Sequence, residues 1–105
     1  MITIDEIKNI ITPLVKSYPV RRIILFGSYA RDEATMNSDI DLIIDSEGQL
    51  SAFDFFGISG LIIKKMPINV DVFELREVNK PSVMLDNINR EGVVIYDESE
   101  HTKTA

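Results

Sequence analysis

Cysteine is absent from this 105-residue chain, which excludes a disulfide framework, a thiol nucleophile and every thiolate metal site. Histidine occurs once, as His101 near the C-terminus, so a Ser-His-Asp triad and a histidine-based zinc centre are excluded with it. Basic residues are in deficit. With 11 Lys and Arg against 17 Asp and Glu the net charge is −6, which repels phosphate backbones, and no stable direct nucleic-acid binding is expected. Long apolar runs are missing too: Ile23 to Phe26 and Leu61 to Ile63 fall far short of the roughly 20 residues that cross a bilayer. The opening Met1-Ile-Thr-Ile-Asp-Glu carries neither the basic segment nor the apolar stretch of a secretory signal, so a cytoplasmic location is expected.

What is present is ordinary globular composition, 45% apolar and 27% charged, enough for one modest core. A single domain is expected over residues 1–96, with residues 97–105 a polar, frayed tail. Thr3 and Glu6 have the spacing of a capping box, and Ile4, Ile7, Ile10, Ile11, Leu14 and Val15 follow at helical intervals. Pro13 lies inside that pattern and predicts a bend between Asn9 and Pro13. Val20 to Phe26 reads as a strand ended by the Gly27-Ser28 turn, and Asp39 to Asp45 as a second strand with Asp39, Asp41 and Ile43 on one face. Gln49 to Met66 has a helical pattern weakened by Gly57 and Gly60, with Pro67 marking its end. Ile68 to Leu75 alternates as a third strand, Ser82 to Arg90 reads as a short helix ended by Gly92, and Val93 to Tyr96 as a last strand.

The chemistry concentrates between Gly27 and Leu42, with Asp71 added from a later strand. Two carboxylates two residues apart on a strand point the same way, and a third from a neighbouring strand can converge on them into an all-oxygen cluster. Like charges about 4 Å apart repel by roughly 4 kcal/mol at an effective dielectric of 20. A hard divalent cation such as Mg²⁺ removes that cost and bridges to phosphate oxygens. Gly27 and Ser28, where a strand ends, offer backbone N–H groups and a hydroxyl to a polyphosphate, and Arg31 could add charge.

On the Gly27-Ser28 turn, the Ser38-Asp39-Ile40-Asp41-Leu42 strand and the third acid in Val70-Asp71-Val72, the chain resembles the minimal nucleotidyltransferases of the DNA polymerase beta-like superfamily. The resemblance runs from the helix before Gly27 to the Gly92-Val-Val-Ile-Tyr96 ending. It implies an α/β (α+β) nucleotidyltransferase fold, a short mixed β-sheet flanked by helices. It further implies that Gly27 and Ser28 hold the nucleotide triphosphate, and that Asp39 and Asp41 bind the metal ions, two Mg²⁺ with ATP as substrate. Asp71 would complete the second metal site and act on the incoming hydroxyl as base or positioning group. Arg31 and Ser38 match positions usual in the pattern as further nucleotide-binding residues.

Small members of this family resemble antitoxins paired with a HEPN-class toxin, several of them transferring AMP to a tyrosine of that partner. Transfer to a cognate HEPN toxin is therefore the expected activity, and homo- or hetero-oligomers are compatible with it. Larger nucleotidyltransferases grip the acceptor with an added domain, for which this chain has no residues left. Two other readings stand beside it, an antitoxin that acts by binding alone and transfer to a small molecule. Phe53, Phe55 and Phe56 fit core or partner contact better than a base-stacking platform, Tyr29 fits either, and Asp32 and Glu33 read as solvated.

Overall fold

A computed structural model of the chain describes residues 1–75 and 91–101, all but the side chain of His101. The helix expected over Ser82 to Arg90 lies outside the described residues. Helix α1 spans Ile4–Val15, β1 Arg22–Phe26, β2 Ile40–Asp45, α2 Ala52–Lys65, β3 Val70–Glu74, β4 Val93–Asp97 and α3 Glu98–His101. The mixed four-stranded sheet has the order β3-β2-β1-β4. β1 runs antiparallel to β2 and β4, whereas β2 and β3 are parallel and joined through α2.

Side-chain parity divides the sheet. Ile23, Leu25, Ile40, Leu42, Ile44 and Val70 point to one face, where they form the main core with Ile7, Ile11 and Val15 of α1 and Ile58 and Ile62 of α2. Ile24 and Ile43 belong to a second, smaller cluster joined by Phe26 and Leu75, which lies on the opposite face. The residues of the candidate site, Asp41 and Asp71, share the parity of that second face.

Thr3 caps α1 as expected: its hydroxyl accepts from the Glu6 amide at 3.1 Å while the Glu6 carboxylate accepts from the Thr3 amide at 3.3 Å. The helix continues two residues beyond Pro13, because Ile11 and Val15 are both fully buried and the packing of that stripe outweighs one lost backbone donor. The strands are shorter than expected. β1 begins at Arg22 rather than Val20, and β3 spans five residues rather than the eight from Ile68 to Leu75. β2 begins at Ile40, which leaves Asp39 in the loop before it. Its other face is not solvent, since Ile43 is fully buried. The C-terminal segment begins with the last β4 residue and a helical turn, Glu98–His101; Asp97 Oδ1 accepts from the Ser99 amide and hydroxyl at 3.0 and 2.7 Å, and the Glu98 amide donates to the Arg21 carbonyl at 2.8 Å. Among the described residues no helix is long and apolar enough to cross a membrane.

Candidate active site

The chain leaves β1 at Phe26 and turns through Gly27, whose φ of +77° lies in the left-handed region that glycine occupies without steric cost. The Gly27 carbonyl accepts from the amides of Ala30 and Arg31 at 3.1 and 3.2 Å, and the Ser28 carbonyl from Glu33 at 2.9 Å. This winds the segment into a tight coil. The amide and hydroxyl of Ser28 donate to no group among the described residues, so they remain available to an anion.

Strand pairing brings the acids to this turn. Asp41 is opposite Phe26 across the antiparallel β1–β2 ladder and opposite Asp71 across the parallel β2–β3 ladder. Gly27 is required for a second reason. A Cβ built on it would overlap Asp41 Oδ2 and come within 3.4 Å of the Asp41 carboxyl carbon, so the carboxylate lies where only glycine leaves room. Burial holds the Asp41 carboxyl above the ordinary value of 3.8; Asp71 and then Asp39 raise it further, and Arg31 lowers it. All three acids therefore act within one electrostatic field. They do not close into a ready-made cage: among the described residues no three acidic or histidine side chains stand close enough together to hold a metal ion. Asp41 and Asp71 form a strand-held pair, with Asp39 exposed on the loop beside them.

Arg31 and Ser38 have protein partners. The Arg31 guanidinium pairs with Glu33 at 2.9 Å and Glu91 at 3.8 Å and reaches Asp41 only through its field. Ser38 Oγ accepts from the Thr35 amide at 2.9 Å, and the Ser38 amide donates to the Thr35 carbonyl at 3.1 Å, which folds the loop that delivers Asp39. Tyr29 is buried in the main core. Glu33 is engaged with Arg31, whereas Asp32 serves the coil through its own left-handed φ of 57°. Phe26 and Phe73 were missed by the sequence reading. Their rings meet edge to face at 6.0 Å and give the acid pair an apolar neighbour. Their parity with Asp41 and Asp71 was the available signal.

Comparison with known proteins gives the same picture. The family profile described as "Polymerase beta, Nucleotidyltransferase" matches residues 8–101. A relative from Methanocaldococcus jannaschii is 34% identical over 87 residues, covering 79% of this chain and 89% of its own. Protein adenylyltransferase MntA of Thermococcus cleftensis is 34% identical over 76 residues, covering 69% and 77%. Protein adenylyltransferase MntA of Aphanizomenon flos-aquae is 32% identical over 108 residues, covering 91% and 70%. Among solved structures, a toxin–antitoxin with AMP-PNP superposes with a TM-score of 0.69 at 21% identity, covering 91% of this chain and 77% of that one. The tri-AMPylated Shewanella oneidensis HEPN toxin in complex with MNT antitoxin gives 0.65 at 18% identity, covering 96% and 78%. At those identities the superpositions establish the shared fold.

Proposed function

Because this chain belongs to the polymerase beta nucleotidyltransferase family, with relatives named protein adenylyltransferase, we propose that it is an antitoxin enzyme that transfers AMP from ATP to a cognate HEPN toxin and so neutralises it. The observation that carries this reading is the Asp41 carboxylate fixed between the Gly27 turn and Asp71. A phosphate-accepting turn and an acid pair in one place match in-line displacement at an α-phosphate.

Each residue has a role in that reading. The Ser28 amide and hydroxyl, on the path set by Gly27, take triphosphate oxygens. Asp39, Asp41 and Asp71 present only hard oxygen donors, and the Asp41 carboxyl, pushed up by burial and then by Asp71 and Asp39, is a charge that a bound cation would relieve. They would hold Mg²⁺, which when bound supplies charge neutralisation and polarisation of the phosphoryl oxygens. Asp71, exposed at its end of the pair, orients the acceptor hydroxyl and takes its proton. The acceptor oxygen, a tyrosine hydroxyl in this reading, bonds to the α-phosphorus as the bond to the β-phosphate oxygen breaks, and pyrophosphate leaves. Arg31, released from Glu33 and Glu91, contributes positive charge to the departing phosphates. Ser38 acts through the loop that carries Asp39. We place the reaction in the cytoplasm, where ATP is supplied.

The test is the intact mass of the cognate toxin after incubation with this protein, ATP and Mg²⁺, beside a reaction with the Asp39→Asn/Asp41→Asn variant. Mass gained in whole adenylyl units and absent from the variant reaction is the expected result. An unmodified toxin in a stable complex would instead assign neutralisation to binding alone.

A further inference from the structure

The sheet face that carries the acids is laid out in rows. Phe26, Asp41 and Asp71 stand side by side across β1, β2 and β3, and Ile24, Ile43 and Phe73 form the next row along the strands. Ile24 and Ile43 are buried, whereas Phe73 is 36% exposed. A lone apolar side chain on a surface is ordinary. Phe73, however, lies on β3, an end strand of the sheet among the described residues, where charged side chains are the usual choice. It also shares its face with Asp71, two residues away and so roughly 6.6 Å along the strand. Its ring is fixed in direction, meeting Phe26 edge to face at 6.0 Å with the ring planes 62° apart. An oriented, half-open aromatic ring therefore stands next to the acid that, in the transfer reaction, faces the acceptor.

We infer that Phe73 selects the acceptor: it receives the ring of a phenolic hydroxyl and so favours tyrosine over serine or threonine. The inference rests on the transfer reading of the site and deepens it. Strand order gives the direction of approach. The Gly27-Ser28 turn lies on the β1 side of Asp41, and Asp71 on the β3 side. In-line displacement puts the entering oxygen opposite the departing pyrophosphate, so with the triphosphate on the Ser28 side the acceptor comes in over β3. Phe73 is on that side, with Phe26 behind it. A phenol carries its ring directly behind its oxygen. With that oxygen at the Asp71 carboxylate and the ring lying back along β3, the two rings fall within the separation of about 4.5–7 Å that aromatic pairs prefer. A serine or threonine hydroxyl has a single carbon and then backbone behind it, and leaves the surface of Phe73 unfilled.

The test uses the full chain with its cognate toxin, ATP and Mg²⁺, with the acceptor residue located by peptide mass and rates taken over a range of toxin and of ATP. The parent is expected to place AMP on tyrosine. Phe73→Leu keeps an apolar side chain beside Ile43 and removes the ring. In it and in Phe73→Ala, kcat/KM for the toxin is expected to fall about tenfold, while Phe73→Tyr stays close to the parent. KM for ATP and the rise in thermal midpoint given by Mg²⁺ with ATP are expected to be the same in all four proteins, which a general disturbance of the sheet would not allow. Transfer to serine or threonine overturns the inference, as does a Phe73→Leu protein as fast as the parent. So does a raised KM for ATP in Phe73→Leu, which would give the ring to the nucleotide base. Each of those outcomes leaves the transfer reading standing. A parent that adds no AMP to the toxin removes that reading, and this inference with it.

Discussion

Gly27 and Gly48 share a left-handed backbone, with φ of +77° and +79°, but only Gly27 has a carboxylate where its Cβ would lie. The pair separates backbone strain from site geometry. Gly48→Ala should cost about 1 kcal/mol in urea denaturation, from φ alone, and keep the stabilisation that Mg²⁺ and ATP confer. Gly27→Ala should cost about 2 kcal/mol and lose that stabilisation, because Asp41 must move. Asp41 also sets a pH dependence. Its carboxyl titrates above 3.8 in the folded chain, so the native state holds this proton at pH values where the unfolded state has released it. The residue's contribution to stability is thus lost as pH rises from 3.8 through the folded value, and stays lost above it. In cation-free buffer Asp41→Asn should therefore melt higher than the parent at pH 7, the two converging below pH 3.8. A parent that melts higher than Asp41→Asn without divalent ions would contradict the cost of burying the Asp41 charge beside Asp71 and Asp39.

Both long helices depend on their first residues. Thr3 and Ser51 accept from the amides of Glu6 and Asp54 at 3.1 Å each, and Thr3→Ala or Ser51→Ala should each cost about 1 kcal/mol by chemical denaturation. Arg22→Ala should cost about 2 kcal/mol, since Arg22 Nε and Nη2 donate at 3.1 and 2.8 Å to the otherwise buried Asp45. The Thr3 cap was legible in the sequence, as were the two long helices, the order of the strands along the chain and the acids at Asp39, Asp41 and Asp71; the Ser51 cap was not, since the helical pattern was read from Gln49. Local chemistry sets those features. Asp39 fell outside the strand because one residue decides whether a strand has begun. The closeness of Gly27 to Asp41, the parallel pairing of Asp41 with Asp71 and the commitments of Ser38 and Arg31 could not be read. Each depends on which strands become neighbours, and no spacing within one strand records that.

At the scale of the whole molecule, ligand binding is expected to show as stability. Saturating Mg²⁺ with ATP at about 100 times its dissociation constant adds about 2.7 kcal/mol, which for a domain of this size raises the thermal midpoint by roughly 10 °C. Differential scanning fluorimetry checks this, with Asp39→Asn/Asp41→Asn expected to show no shift; equal shifts in both proteins would place the nucleotide elsewhere. The topology has one more consequence. A single loop joins β1 to β2, so Gly27 and Asp41 meet when that local antiparallel pair closes. Asp71 arrives only after α2 has carried the chain across to lay β3 parallel to β2, a more distant and slower contact. Loop length therefore predicts that Gly27 and Asp41 come together before Asp71 joins them. On the reading proposed above, a chain whose β3 has not yet docked would offer a seat for the nucleotide and no means of passing it on, so transfer would wait for the complete sheet.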